Sequence, residues 1–449
     1  MDMNSIKSVY FIGIGGIGMS ALARYFKFIG KEVGGYDKVA TQLTEELETA
    51  GIEIHYEDNV DLIHAKYKEV ASTLVIVTPA VPQEHSEWKY FKTNQFEIKK
   101  RSEVLGIITK DTYCFAVAGT HGKTTTTSIL GHLLFQAGLD VTAFVGGVVE
   151  NYQTNLIGSG KTITVVEADE FDRSFLRLFP NVACITSTEA DHLDIFGTAE
   201  EMVVAFKDFA NRLPDANKLF VTEAVDLDGI QVGFGSNCIY QATDIKVVDG
   251  WYIFNIVTPK ETIKNVYFGL PGRHNLSNAL MAFAMASDYG VDTQKLIEGL
   301  KSFRGVRRRF SYKIRRDDLI YIDDYAHHPT EIKAASQAVH EMHGDRKIVA
   351  VFQPHLYSRT KDFMSEFAQA LSTFDHVVVL DIYPARELPI EGITSSKLLE
   401  QISSNVKRLV AKENLIEYLK ASDAEIILTI GAGDIGEMVQ DIKIALEKK

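Results

Sequence analysis

The residues best able to do chemistry fall into short clusters, and the sharpest is Gly119-Thr120-His121-Gly122-Lys123-Thr124-Thr125. It lies between an apolar run and a helical pattern, where successive backbone N–H groups can cradle phosphates. In that setting Lys123 would neutralise the β and γ phosphates of a nucleotide, and the Thr124 hydroxyl would be offered to magnesium. The loop is a shortened variant, because Val117 stands where the first glycine of the usual phosphate loop belongs. Four acids follow a second apolar run in Glu167-Ala-Asp-Glu-Phe-Asp172. Such acids repel one another unless cations or donors stabilise them, so Glu167 is a candidate to hold a magnesium ion bridging phosphates; a solvated acidic turn is the bland alternative. His192, in Thr188-Glu-Ala-Asp-His-Leu-Asp194, is a weak candidate alone and a stronger one beside Glu167 and the glycine loop.

A second glycine cluster, Gly13-Ile-Gly-Gly-Ile-Gly18, also joins a strand-like run to a helical one. Gly15, Gly16, Ile17 and Gly18 would bring helix-start amides to a pyrophosphate, and Asp37 stands 19 residues past Gly18, where a ribose-binding carboxylate belongs. The alternative is that these glycines only tighten a turn, and the motif alone does not separate NAD from a UDP-linked ligand. Asn278, in Gly272-Arg-His-Asn-Leu-Ser-Asn278, can read a base edge or ribose with donor and acceptor, while Asn275 or Ser277 could simply cap the helix. Arg307-Arg308-Arg309 is either a solvated charge run or a guanidinium set for phosphate. Asp323-Asp324-Tyr325-Ala-His327-His328 gathers carboxylates, a phenol and imidazoles at one strand end, and Phe352-Gln-Pro-His-Leu-Tyr-Ser-Arg359 adds an arginine suited to a carboxylate. His327, His328 and His355 match no standard zinc spacing.

The elements that must position these clusters are short β-rich runs alternating with helical patterns, which predicts parallel sheets with crossover helices. Expected strands include Ser8–Ile12, Thr73–Val77, Tyr113–Val117, Thr162–Val166, Val182–Ile185, Leu319–Ile322, Lys347–Phe352, His376–Leu380 and Glu425–Ile430. The stretch 219–270 alternates more like antiparallel β structure. Nearly every strand runs into a polar or glycine-rich turn, and in open parallel sheets ligands sit outside the carboxyl ends of strands. At roughly 150 residues per domain the chain has room for about three domains, with expected boundaries at 1–108, 109–313 and 314–449.

Composition excludes classes without choosing a function. Against 47 Lys and Arg stand 60 Asp and Glu, a formal net charge of −13; a nucleic-acid binder would need a basic face to displace counterions. Cys114, Cys184 and Cys238 are far apart in apolar stretches, which reads as reduced buried thiols. No apolar run approaches the ~18 residues of a membrane span. Asp2 and four glycines mark the start as a strand and its turn rather than a leader, and the expected location is cytoplasmic.

Taken together, GIGGIGMS at 13–20, GTHGKTTT at 119–126, EADE at 167–170, EADHLD at 189–194, HNLSNAL at 274–280, RRF at 308–310, DDYAHHPTE at 323–331 and GAGDIG at 431–436 resemble the signatures of the Mur ligase family, in order and across essentially the whole chain. The resemblance implies an α/β fold of three domains: a Rossmann-like N-terminal domain for a UDP-linked substrate, a P-loop ATPase-like central domain, and a Rossmann-like C-terminal domain on the amino-acid and adenosine side. It implies an ATP-dependent ligase, closest to those members that join L-alanine to the lactyl carboxylate of UDP-N-acetylmuramate through an acyl phosphate, with two magnesium ions. By the same resemblance the segment Gly15–Gly18 would hold the UDP diphosphate and Lys123 the ATP phosphates. Thr124, Glu167 and His192 would serve magnesium; Asn278 and Asp324 would hold adenosine, with Arg308 or Arg309 on phosphate. Tyr325, His327 and Arg359 would shape the alanine site, His327 orienting or helping to deprotonate the amine. Leu356 departs from the pattern, since alanine-adding members commonly carry a second arginine there. The expected partners are UDP-N-acetylmuramate, ATP and L-alanine, with no nucleic acid and no membrane insertion, the chain acting as a monomer or weak homodimer. The competing expectations are a recycling ligase that adds a preformed tripeptide, a nicotinamide-dependent dehydrogenase and a non-catalytic nucleotide switch.

Overall fold

The computed structural model describes residues 5–189, 198–248, 250–344, 346–385 and 387–448. His192, expected to serve magnesium, lies outside the described residues.

Three sheets organise the chain. The first holds β1 (Ser8–Ile12), β2 (Glu32–Tyr36), β3 (Glu53–His55), β4 (Thr73–Val77) and β5 (Glu97–Lys100) in the order β3-β2-β1-β4-β5. Every pair is parallel. The winding reverses between β1 and β4, whose residues are buried throughout because both faces of the sheet are covered. That reversal opens a crevice at the carboxyl ends of β1 and β4, and the first glycine cluster sits there.

The central sheet is built on β6 (Tyr113–Ala118), β7 (Val141–Val149), β8 (Thr154–Gly158), β9 (Ile163–Glu167), β10 (Val182–Ile185), β11 (Leu219–Thr222) and β12 (Ile230–Gly233), in the order β12-β11-β10-β6-β9-β7-β8. Its pairs are parallel except β7 with β8, an antiparallel edge that the sequence did not announce. The expectation of antiparallel structure across 219–270 needs correction in its first half. β11 is parallel to β10 and to β12, and the next strand (Tyr240–Val248) begins parallel to β12. The misleading alternation reflects one-sided exposure: β13 (Tyr240–Val248) and β14 (Trp251–Val257) turn every second residue inward along much of their length, and β15 (Thr262–Phe268) follows them. Apolar residues of the first and central sheets, from Phe11 and Leu74 to Ala116 and Val166, belong to one continuous core.

The third sheet holds β16 (Ser311–Arg315), β17 (Ile320–Asp324), β18 (Ile348–Phe352), β19 (His376–Val379), β20 (Val406–Leu409) and β21 (Ile426–Ile430), in the order β16-β17-β21-β18-β19-β20. It is parallel apart from the β16–β17 edge pair. Two cores cover its faces. The loops after β17, β18 and β21 carry Tyr325, His355 and Gly431, so this cluster too occupies a carboxyl edge.

Two compact units divide the chain. One comprises the residues through Thr243 with Asn255–Val266 and Ser277–Phe303; the other comprises Asp244–Phe254, Tyr267–Leu276 and everything from Arg304. Among the described residues no helix is long and apolar enough to cross a membrane.

Candidate functional site

In the first unit, the loop after β6 is drawn tight by Gly119 at φ +128° and Gly122 at φ +83°, left-handed values that an L side chain resists. Gly122 opens the helix Lys123–Gln136, and no side chain caps it. The N–H groups at such a helix start have no partner within the helix. Thr120 Oγ1 lies 2.8 Å from Ser187 Oγ and its N–H bonds the Ser187 carbonyl at 3.0 Å, while the Thr186 hydroxyl donates to the carbonyl of His121. The loop is therefore braced on the turn after β10. His121 Nε2 lies 3.5 Å from Glu189, and Thr125 is buried in the first helical turn.

Lys123 folds back over this loop. Its Nζ donates to the Gly119 carbonyl at 2.6 Å and to both carboxylate oxygens of Glu170, at 2.8 and 2.9 Å. Glu170 is buried, so this pair is desolvated on one side. Thr124 Oγ1 donates to Glu167 Oε2 at 3.2 Å, and the other Glu167 oxygen accepts the Gly146 N–H at 2.5 Å. The sequence grouped Glu167 and Glu170 as one acidic run; the structure gives them different partners. A hydroxyl and a carboxylate meeting at Thr124–Glu167 are hard oxygen donors, and that donor chemistry fits magnesium. Among the described residues no group of three His, Cys, Asp or Glu gathers as a metal site. Few protein ligands plus substrate phosphates is the usual magnesium arrangement.

Asn278, on the helix Arg273–Tyr289, closes on the same loop. A Cβ at Gly122 would stand 2.5 Å from its Oδ1, so this glycine is needed for the close approach. Asn275 is spent locally, donating to the Pro271 carbonyl at 2.7 Å.

In the first glycine cluster, Gly13 takes φ +88° and Gly16 precedes the helix Ile17–Phe28, again without a side-chain cap. The Gly15 N–H donates to Asp37 Oδ2 at 2.6 Å, and a Cβ on Gly15 would meet that carboxylate at 2.9 Å. Asp37 thus clamps the loop with one oxygen, and the amides at the helix start from Ile17 onward are the ones open to a diphosphate. Asn155, fully buried on β8, donates to the Ile17 carbonyl at 2.6 Å and to Ser20 Oγ at 2.8 Å, tying this helix to the central sheet.

The second unit assembles its own cluster. Arg308, at φ +63°, donates from Nε to Asp323 at 3.2 Å and from Nη2 to the Gly431 carbonyl at 2.6 Å. Asp323 is fully buried and also accepts from Thr429 at 2.9 Å. Burial pushes its carboxyl up, opposed chiefly by the Arg308 charge. Both Arg308 and Arg309 reach over the Tyr325 ring, at 5.2 and 5.5 Å. Their ionic partners distinguish the two adjacent arginines, equivalent in sequence: Arg308 is tied to the buried Asp323 and the Gly431 carbonyl, while the Arg309 charge acts on Asp324 and His327. Asp324 accepts the N–H groups of Phe310 at 2.8 Å and Ala326 at 2.7 Å; burial nevertheless raises it to about 6.

The His327 ring packs edge-on against Tyr325, 5.3 Å between centroids, and the His327 backbone N–H donates to Glu331 at 2.9 Å. Burial lowers its imidazole pKa, with Glu331 opposing and Arg359 and Arg309 adding to the effect. His355 stacks on Tyr383 at 5.7 Å and sits 3.4 Å from Arg359 Nη1; burial, His327 and Arg359 bring it down to about 4. Both rings are therefore neutral at neutral pH, and Arg309 and Arg359 carry the positive charge. Leu356 begins the short helix with Arg359 at φ +70° and does not add a charge. The Gly431–Gly436 turn is explained by packing: a Cβ on Gly433 would strike Gln353 and Tyr383, and one on Gly436 would strike Arg308.

Three family models cover the chain in order: "Mur ligase family, catalytic domain" at residues 8–113, "Mur ligase middle domain" at 117–286 and "Mur ligase, glutamate ligase domain" at 308–433. The chain is 62% identical over 449 residues to a UDP-N-acetylmuramate–L-alanine ligase of Flavobacterium psychrophilum, covering 100% of both. It is 44% identical to the Phocaeicola vulgatus protein of the same name, also covering 100% of both. A crystal structure of a UDP-N-acetylmuramate-alanine ligase from Thermotoga maritima superposes with a TM-score of 0.83 at 27% identity, covering 98% of this chain and 99% of that one.

Proposed function

The chain belongs to the Mur ligase family, and from that membership we propose that it joins L-alanine to the lactyl carboxylate of UDP-N-acetylmuramate while ATP is cleaved to ADP and phosphate. The observation that carries the reading is the full-length match, at 62% identity, to a relative whose name states those two substrates. It also sets aside the dehydrogenase and the non-catalytic switch, and favours alanine over a preformed tripeptide.

The residue roles follow from the local chemistry. Amides of Gly119–Thr125 and the Lys123 ammonium hold the ATP phosphates, Lys123 exchanging Glu170 for phosphate oxygen. When bound at Thr124 and Glu167, with His192 assigned to a second ion, magnesium supplies charge neutralisation for an in-line phosphoryl transfer. A lactyl carboxylate oxygen attacks the γ-phosphorus, and the bond to ADP breaks to leave an acyl phosphate. The amine of alanine then attacks that carbonyl, loses a proton and expels phosphate. Asn278 is assigned to adenosine, as is Asp324, whose remaining lone pairs suit ribose hydroxyls. Arg309, rather than Arg308, is assigned to phosphate. Arg359 takes the alanine carboxylate beside Tyr325. A neutral His327 of lowered basicity is suited to accept a hydrogen bond from the amine and orient it, more than to strip an ammonium of its proton. Helix-start amides from Ile17 to Gly18, with Asp37 clamping Gly15, hold the UDP diphosphate. We place the reaction in the cytoplasm, with a monomer or weak homodimer as the acting species.

Release of ADP and phosphate, measured with each substrate omitted in turn, tests the reading. Release is expected only with ATP, magnesium, UDP-N-acetylmuramate and L-alanine together. Strong turnover with a tripeptide and none with alanine would overturn the specificity.

A further inference from the structure

A small open cleft lies between the first glycine cluster and Glu167, with Gly18, Ala21, Arg101, Phe144, Gly146 and Glu167 in its walls. Arg101 belongs to none of the motifs in the sequence; it is the first residue of the helix Arg101–Lys110, directly after β5. We propose that Arg101 binds the UDP-linked substrate, its guanidinium taking an oxyanion of that molecule where it passes from the helix start at Ile17–Gly18 toward Glu167. The proposal rests on the reaction assigned above and adds a residue to it.

Three observations converge. The first is the use made of Gly18. A Cβ there would stand 2.9 Å from Arg101 Cδ, 3.0 Å from Nη1 and 3.2 Å from Nε, so the missing side chain is filled by the arginine. The last glycine of the cluster therefore leaves the space that this cation fills. The second is electrostatic. The guanidinium lies against the first turn of the helix Ile17–Phe28, which contains no acidic residue. A positive charge at the positive end of a helix is unfavourable until an anion joins them. The third is the weakness of its present pairing. Among the described residues its carboxylate partner is Asp169, through one Nη2 at 3.5 Å, with the two side chains 30% and 38% exposed. An arginine fork has five N–H donors, and one long contact on a half-open surface contributes little. The cleft beside it leads to Glu167, so a substrate anchored by its diphosphate and reacting near Glu167 must cross this guanidinium.

Two oxyanions of the substrate have the right chemistry, the diphosphate and the lactyl carboxylate, and the test separates them. Dissociation constants are measured calorimetrically for UDP-N-acetylmuramate, for UDP-N-acetylglucosamine (which has the diphosphate but no lactyl carboxylate) and for ATP. Arg101→Ala is expected to weaken UDP-N-acetylmuramate by about tenfold or more, the scale of one charge-assisted bond in a partly open site. ATP affinity should stay within about twofold, and Arg101→Lys should recover part of the loss because it keeps the charge without the fork. An equal loss with UDP-N-acetylglucosamine identifies the diphosphate as the oxyanion; an unchanged value identifies the carboxylate. Asp169→Asn, which removes the ion pair but not the guanidinium, should leave UDP-N-acetylmuramate binding intact; a loss matching that of Arg101→Ala would make the pair merely structural and overturn the proposal. So would folded Arg101→Ala that binds UDP-N-acetylmuramate as wild type does. If wild type itself failed to bind UDP-N-acetylmuramate, the assigned reaction would fall first, and this subsite with it.

Discussion

The loop around Lys123 and the cluster around His327 use positive charge in opposite ways. At the loop, a single ammonium is held by a buried carboxylate and two backbone carbonyls, so its charge is already neutralised and can be handed to another anion. In the second unit, burial strips charge from His327 and His355, and the arginines are sorted into one locked by Asp323 and others facing the cluster. The contrast shows that an acidic chain, −13 overall, can serve anionic ligands through local devices: an exchangeable pair in one place, a set of neutral rings around fixed guanidinia in the other.

Breaking the exchangeable pair should have the largest effect. Lys123→Ala is expected to lower ADP formation by about a thousandfold or more, the scale of removing a cation from phosphoryl transfer, with UDP-N-acetylmuramate affinity unchanged; equal loss of both would merge two sites kept separate here. Next in size is the locked arginine. Arg308→Ala leaves the buried Asp323 uncompensated, and denaturant unfolding should show a loss of about 3 kcal/mol, whereas Arg309→Ala should keep its stability and raise the KM for ATP. A like effect of both on stability would erase the distinction between them.

Glu170→Gln sharpens the comparison from the other side. It keeps a hydrogen-bond acceptor for Lys123 but removes the charge, so turnover should fall by about tenfold, far less than for Lys123→Ala. The smallest effect is expected for the neutral rings. His355 has its pKa depressed to about 4 in the fold against about 6.5 when unfolded. Between those values the unfolded chain binds the extra proton, so this residue's contribution is present above pH 6.5 and is lost as pH falls toward 4. The stability gap between wild type and His355→Asn should therefore shift against wild type across that window and stay flat above it. A flat difference throughout would mean the imidazole is not held neutral by the fold.

Buried strands were legible because apolar runs such as Val182–Ile185 are covered on both faces. Edge strands were not: in Val406–Leu409 the residues Val406 and Leu409 are 38% and 44% exposed, and such residues carry no burial pattern. The glycine loops announced themselves, since their left-handed turns admit few other residues. What escaped was partnership. Nothing in Glu-Ala-Asp-Glu at 167–170 says which acid meets Lys123 and which meets Thr124, because that depends on how the strand end turns. Arg308 and Arg309 are neighbours in sequence, and their order along the chain does not say that the first, at φ +63°, pairs with the buried Asp323.

Asn155 has a mechanical consequence. Its buried amide fastens the helix that begins at Ile17 to the β8 edge, and the adjoining strand β7 supplies the N–H that steadies Glu167. Sliding the first sheet against the central one would break the bonds of the buried Asn155 amide, at a cost of about 1–3 kcal/mol for each group left unsatisfied. The first glycine loop and Glu167 are thus mounted on one frame, and under the proposed roles the span between them would be a fixed gauge for substrate length.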